Sequence, residues 1–409
     1  MKFKSLGIYD GLPASIYVLF IVRIINALGA FVGPFITLFL SNKLGYSNDI
    51  IGLFIMANSL CMVPGAMIGG KISDILGRKK ILIAFQLLTG TSYLLCAFFE
   101  RSQIIPYLLI MASFFNSAAQ PAFGAMTADL SNVKNRKSAY SLLYLGVNLG
   151  FSIGPMIAGF LYNNYITMLF IGNSAAVFIS TAVLYFFVEE SIPNNMESNC
   201  NIDENAEEGS LINALIKRPC LLVFLLFSTI YSFVYAQYPY CIPLQVNELF
   251  ENNGAVIYGQ IMAVNGFTVF LFTTFLTRVT RKISPIKNVA AAGVFYAFGF
   301  GMMYFIKSRQ MFYLSAIIWT IGEIIHTINS NVYIANHTPM THRGRFNAVI
   351  PLISSTGFAL GPAIMGMYIK NRAVKDGWPV VFVLALTASL LFYILYIHEK
   401  KKNLMYIDT

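Results

Sequence analysis

Apolar runs of about twenty residues recur along the whole of this chain, each long enough to cross about 30 Å of hydrocarbon. Twelve are predicted, at roughly 14–40, 48–70, 80–99, 104–130, 137–162, 165–188, 219–247, 254–277, 286–306, 311–336, 345–369 and 377–397. They are spans one to twelve below, and they imply an all-α membrane protein. The composition agrees: 57% of residues are hydrophobic and 11% charged, whereas soluble domains carry about 25% charged residues. The first run is too long for a signal-peptide core and lacks a small-residue cleavage site, so no cleaved leader is expected.

The chain also repeats itself. Asn135 to Gly159 reads NRKSAYSLLYLGVNLGFSIGPMIAG, and 207 residues later His342 to Gly366 reads HRGRFNAVIPLISSTGFALGPAIMG without a gap. Arg136 matches Arg343, Gly150 Gly357, Phe151 Phe358, Gly154 Gly361, Pro155 Pro362, Ile157 Ile364 and Gly159 Gly366. A period near half the chain length predicts two pseudo-symmetric six-helix halves, residues 1–188 and 217–409. The polar stretch 189–216, with Glu189, Glu190, Glu197, Asp203, Glu204, Glu207 and Glu208, is expected to be the cytoplasmic linker between them, and no chemistry is assigned to it.

A net charge of +10 would suit nucleic acid, but its distribution does not. With the N-terminus inside, 20 Lys and Arg residues fall in cytoplasmic segments and 7 on the other side, with Arg23 alone inside a span. That asymmetry sets topology and puts both termini in the cytoplasm of a cell membrane. No nucleic-acid partner is expected. The five cysteines show no C-x-x-C or zinc spacing, so they read as apolar fillers, and no metal is expected.

The informative residues are the polar ones inside spans. Arg23 and Asn26 share one face of span one with Ala30. A charge at that depth costs about 2.5–3.5 kcal/mol even on the mildest scale, so it faces a cavity or partner unless it snorkels to the surface. Span four carries Asn116, Gln120 and, near its end, Asp129; span seven carries Tyr231, Tyr235 and Tyr238 at helical spacing beside Pro239. Those rings suit either helix packing or the wall of a ligand cavity. Span ten is the most polar. Glu323 lies near its middle, with His326 on the same face. A carboxylate there must be protonated or paired, and Arg23 is within reach as a partner.

Span five holds Gly146, Gly150 and Gly154 at four-residue spacing, then Pro155 and Gly159; span eleven repeats Gly357, Gly361, Pro362 and Gly366. Small residues at that spacing form a groove for a closely packed neighbour, and the proline bends the helix. Between spans two and three runs GGKISDILGRKK, Gly69 to Lys80. Gly65, Gly70 and Lys71 mimic a phosphate-binding loop, but Ile72 stands where a Ser or Thr must bind magnesium and no strand precedes it. Without a nucleotide loop, a metal cluster or a Ser/His/Asp order, the chain is not expected to be an enzyme.

Gly70, Asp74, Gly77, Arg78 and Lys79 fit G-x-x-x-D-x-x-G-R-K and resemble motif A of the major facilitator superfamily, with Ile75 where that family usually has a basic residue. Span five resembles the antiporter signature motif C, with Ala158-Gly159 in place of the final Gly-Gly. A packing seam without influence on transport direction explains those glycines equally well. Span ten, the segment NHTPMTHRGRFNA after it and the Arg23–Asn26 pair look like the drug/proton antiporters of the multidrug efflux type. The resemblance implies a monomeric transporter that needs no cofactor beyond a proton gradient. Its halves would rock about a midplane cavity lined by spans one, four, seven and ten, with the motif A loop gating the cytoplasmic side. Glu323, Arg23 and Asp129 would couple protons. Asn26, Asn116, Gln120, Tyr231, Tyr235, Tyr238 and His326 would line the cavity for a hydrophobic or cationic small molecule. Two other readings stay open: import or facilitated passage of a nutrient, and a membrane sensor or enzyme.

Overall fold

In lipid each backbone amide must be satisfied within the protein, which leaves apolar runs of this length as helices. The computed structural model describes residues 9, 11–99, 102–132, 135–190, 218–337, 350 and 353–405, and no strand occurs among them. Residues 191–216 of the linker and 342–349 of the second copy lie outside the described residues.

Helices occupy all twelve expected spans. Span one is Ala14–Leu28, then Val32–Leu38 and a π-helical turn, Phe39–Lys43. It breaks at Gly29, which lies against Ala176 of span six, and the freed Val32 N–H is satisfied by Asn173 Oδ1 at 3.1 Å. Span two, Asn48–Leu76, ends because Gly77 takes a φ of 106°, a conformation open to glycine, and span three, Arg78–Phe98, starts at once. Spans four to six are Ile105–Asp129, Arg136–Asn164 and Ile166–Phe187. Span seven is Pro219–Tyr235 and Cys241–Phe250, separated by a turn that holds Pro239. Spans eight to twelve are Gly254–Thr280, Pro285–Gly301, Arg309–His337, Thr356–Ile369 and Gly377–Met405. Among the described residues 9 stretches are long and apolar enough to cross a membrane, and Pro219–Tyr235 and Thr356–Ile369 are shorter apolar helices. Span four is long enough but more polar, since Asn116, Gln120 and Asp129 dilute it.

The helices form two compact units: residues 1–47, 53–197 and 246–266, and residues 48–52, 198–245 and 267–409. A plain division at the linker would not exchange the segments 48–52 and 246–266. Close backbone packing explains the exchange. In unit one the start of span eight lies on span five: a Cβ added to Gly259 would meet Pro155 O at 2.5 Å, and one added to Gly159 would meet Ala255 O at 2.8 Å. In unit two the start of span two lies on span eleven: a Cβ on Gly52 would fall on Pro362 O, and one on Gly366 would meet Asn48 O at 2.6 Å. Each of these four residue pairs across the two seals, 155 with 362, 159 with 366, 52 with 259 and 48 with 255, is separated by 207. The repeat that was visible over 25 residues of spans five and eleven therefore extends to spans two and eight.

Further along span five the glycines serve a second neighbour in the same unit. Gly146, Gly150 and Gly154 pack against Phe20, Ile24 to Ala27 and Leu28 of span one. Gly357 and Gly361 do the same against Thr229 and Phe233 of span seven. Each unit has its own apolar core. Leu19, Val22, Leu82, Phe123, Met126, Leu143 and Leu184 gather in the first, and Val269, Leu276, Ala292, Ile324 and Ile325 in the second.

Candidate functional site

Glu323 is half-buried near the middle of span ten and surrounded by rings. Its carboxyl is hydrogen-bonded to the Tyr235 hydroxyl, and Tyr238 and Tyr296 lie within range of its charge. Tyr235 and Tyr238 have centroids 4.8 Å apart, Trp319 stacks on Tyr238 at 5.6 Å, and Tyr296 stands 6.1 Å from Tyr235. The turn after Tyr235 places Tyr238 back beside Tyr235, and Trp319 precedes Glu323 by one helical turn. The carboxylate supplies charge and the ring faces supply quadrupoles of the same sense, an arrangement that attracts an organic cation.

Other expected members of this site take different places. Tyr231 is fully buried, donates to Val289 O at 3.1 Å and packs on Phe392, so it joins span seven to spans nine and twelve. His326 lies between Tyr231 and Tyr296, at 5.2 and 6.0 Å between centroids, with its buried Nε2 unpartnered among the described residues. One turn on, Asn329 accepts from Asn288 of span nine at 2.8 Å.

Unit one holds Arg23. Its Nη1 donates to Gln120 Oε1 at 3.0 Å and its guanidinium lies 3.8 Å over the Phe123 ring. Asn26 accepts from Ser180 of span six at 2.8 Å and, with Gln86, Phe123 and Thr181, lines a small pocket. Asn116 is half-buried in span four.

The motif A loop is tied down from span four and from the segment that follows span six. Arg78 bridges Asp74, four residues earlier, and Asp129 at the end of span four, 3.6 Å away. Arg78, at the start of span three, thus joins Asp74 at the end of span two to Asp129, which was expected to couple protons, at the end of span four. The tight contact of this stretch is at Gly69: a Cβ there would fall on Ala118 O of span four, whereas one on Gly70 meets Pro121 at an ordinary 3.5 Å. Glu190, beyond span six, accepts from the backbone N–H of Lys79 at 2.9 Å and of Lys80 at 3.3 Å. A carboxylate there satisfies the free donors and the dipole at the start of span three. Lys79 Nζ donates to Tyr185 O at 2.8 Å.

Sequence reading missed Glu190, Tyr296 and Trp319. Glu190 reads as one more linker acid, and Tyr296 has no polar neighbour in sequence. Only Trp319 carried a signal, because it precedes Glu323 by four residues on the same face.

Comparison with known proteins agrees with this architecture. Over 388 residues the chain is 24% identical to an MFS-type transporter of Bacillus subtilis (strain 168), YttB, covering 93% of this chain and 96% of the relative. It is 22% identical over 361 residues to a Na(+), Li(+), K(+)/H(+) antiporter of Planococcus maritimus, covering 82% and 84%. The crystal structure of a peptide transporter POT (E310Q mutant) in complex with sulfate superposes with a TM-score of 0.78 at 12% identity, covering 96% of this chain and 95% of that one, which shows the shared fold. The family model of the Major Facilitator Superfamily matches residues 19–362. This chain, a multi-pass membrane protein of twelve helical spans, belongs to the Major Facilitator Superfamily of transporters.

Proposed function

We propose that the protein is a proton-coupled exporter of hydrophobic, cationic small molecules, working by alternating access, with Glu323 as the titrating group. The observation that carries this reading is the half-buried carboxyl of Glu323 bonded to Tyr235 among Tyr238, Tyr296 and Trp319. Deprotonated, it attracts an organic cation among the rings; protonated, it releases one. Competition of proton and cation for one carboxylate is what exchange requires. A charge moved through 100 mV is worth about 2.3 kcal/mol, roughly fifty-fold in concentration.

In this reading both termini are cytoplasmic, as the distribution of Lys and Arg supports. The motif A loop is then the cytoplasmic latch of unit one, and the two glycine seals lie at the helix ends away from the cytoplasm. Opening those seals and closing the latch would alternate.

The test is transport by the reconstituted protein under an imposed pH gradient. Wild type should accumulate a cationic dye inside inverted liposomes, and Glu323→Gln should abolish accumulation while downhill exchange of a neutral dye continues. Accumulation of the cationic dye by the Gln variant would place the proton site elsewhere.

A further inference from the structure

We propose that the loops joining spans nine to ten and eleven to twelve form a binding site for the headgroup of an anionic phospholipid, built from Lys307, Arg309, Arg372 and Lys375 of unit two. The site is independent of the molecule transported. Of the 7 Lys and Arg residues on the side of the spans away from the motif A loop, five fall in these two loops: Lys307, Arg309, Lys370, Arg372 and Lys375. The offset of 207 that relates the glycine seals assigns to those positions Glu100, Ser102, Asn163, Tyr165 and Met168, none of them basic. In the corresponding loops of unit one Arg101 is the one cation, and it stands beside Glu100. The cations therefore belong to unit two alone and are not needed for the fold that both units share. Topology does not account for them either, since it gathers positive charge on the opposite side.

The two loops make one surface. Lys375 Nζ lies 5.8 Å from the centroid of the Tyr304 ring, and the rings of Tyr304 and Phe305 are 5.0 Å apart. Arg372 lies 4.6 Å over the Tyr368 ring and donates from Nη1 to its hydroxyl at 3.3 Å. Lys370 is taken by Asp49. Among the described residues no carboxylate pairs with the other four, which are all exposed, and Asp376 is the one acid in either loop. Each stands close to a span end. Lys307 follows the turn Met302–Phe305 that closes span nine, Arg309 opens span ten, Arg372 follows Ile369 and Lys375 precedes Gly377. That is the level of lipid headgroups, where tyrosines such as Tyr304 and Tyr368 also belong. Further into the spans Phe298, Phe305 and Leu314 are exposed and offer apolar surface to acyl chains. Guanidinium forks and ammonium groups suit phosphate oxygens, and clustered cations at a membrane surface favour anionic over zwitterionic lipid. A soluble anion would use the charges but leave the apolar surface idle, which favours a lipid.

Native mass spectrometry of the full-length protein, released from maltoside micelles and titrated with lipid, tests the site. The probes are palmitoyl-oleoyl phosphatidylglycerol and the phosphatidylcholine with the same chains. The first phosphatidylglycerol should bind at least tenfold tighter than phosphatidylcholine. Changing Lys307, Arg309, Arg372 and Lys375 together to Gln should erase that preference. Changing Arg278, Arg281, Lys282 and Lys287 to Gln, four exposed cations at the other end of the same unit, should leave it intact. Arg372→Gln alone should weaken it about threefold to fivefold, which keeps the test open if the fourfold variant does not fold. Glycerol phosphate, the same anion without chains, should bind at least a hundredfold more weakly than phosphatidylglycerol. Equal binding of the two lipids to the wild type overturns the proposal. So does a preference that survives in the Lys307/Arg309/Arg372/Lys375 variant and in Arg372→Gln, or one lost equally in both fourfold variants. Glycerol phosphate binding as tightly as the lipid would make a soluble anion the occupant and overturns it as well.

Discussion

The two ends of the helices teach different lessons about the duplication. At the glycine seals the halves agree residue for residue at an offset of 207: Gly259 on Pro155 and Gly159 on Ala255 in unit one, Gly52 on Pro362 and Gly366 on Asn48 in unit two. At the opposite ends they have diverged. Unit one carries the motif A loop, with Arg78 between Asp74 and Asp129 and with Glu190 on the start of span three. Unit two has instead a direct cluster, in which Tyr333 donates to Glu399, His337 Nε2 lies 3.7 Å from the same carboxylate, and Arg218 donates to His337 O. His337 and Glu399 stand one and two residues beyond the positions that 207 would assign to Asp129 and Glu190. Backbone against backbone tolerates almost no change, since any side chain larger than hydrogen separates the helices. Side-chain contacts at an aqueous surface can be rebuilt from other residues.

The largest effect should come from filling the seals. Gly52→Val and Gly259→Val are each expected to cost about 1–3 kcal/mol through overpacking and to reduce pH-driven dye transport tenfold or more. The two losses should agree within about twofold. If melting and transport show one position tolerant and the other not, the symmetry of the seals is only apparent. Next comes the motif A helix pair, where the structure separates adjacent glycines. Gly69→Ala should lower the melting temperature by several degrees, at about 1–3 kcal/mol. Gly70→Ala should stay within about 0.5 kcal/mol, as a substitution with room around it does. The reverse order would place the close approach at Gly70 instead.

A third effect concerns the divergent ends. Glu190→Ala removes the acceptor for two N–H groups and should cost about 1 kcal/mol, as loss of a helix cap does. Hydrogen exchange should accelerate at Lys79 and Lys80 in that variant and remain unchanged there in Glu399→Ala. Coupled acceleration in both would show that the two ends are not independent. The smallest effect is electrostatic. Lys370 pairs with Asp49 at 2.8 Å, and 207 residues earlier Asn163 donates to Asn252 O. The Lys370 side chain is 55% exposed, so the pair contributes about 1 kcal/mol or less. Asp49→Asn should lower the melting temperature slightly at low salt and not at about 1 M, where the Debye length is about 3 Å. Asn163→Ala should show no such salt dependence.

How much was legible in the sequence follows the range of the forces involved. The twelve helices could be read because each run satisfies its own amides and needs only length and hydropathy to be recognised. The duplication was legible where glycine and proline carry it, since those residue types report backbone requirements directly. Glu323 and Arg23 stood out because a charge within an apolar run has no local explanation. What surrounds them depended on tertiary structure. Tyr231, Tyr235 and Tyr238 look alike in sequence, yet the rotation of span seven and the turn before Cys241 bury the first against Val289 and bring the other two to Glu323. Asp129 became the partner of Arg78 and Glu190 the cap of span three because helices distant in sequence end at the same level. Sequence determined which segments are helical and which residues cannot be left unpaired. Tertiary structure alone decided their partners, because helix rotation and end-to-end register arise from packing between segments and leave no period within any one of them.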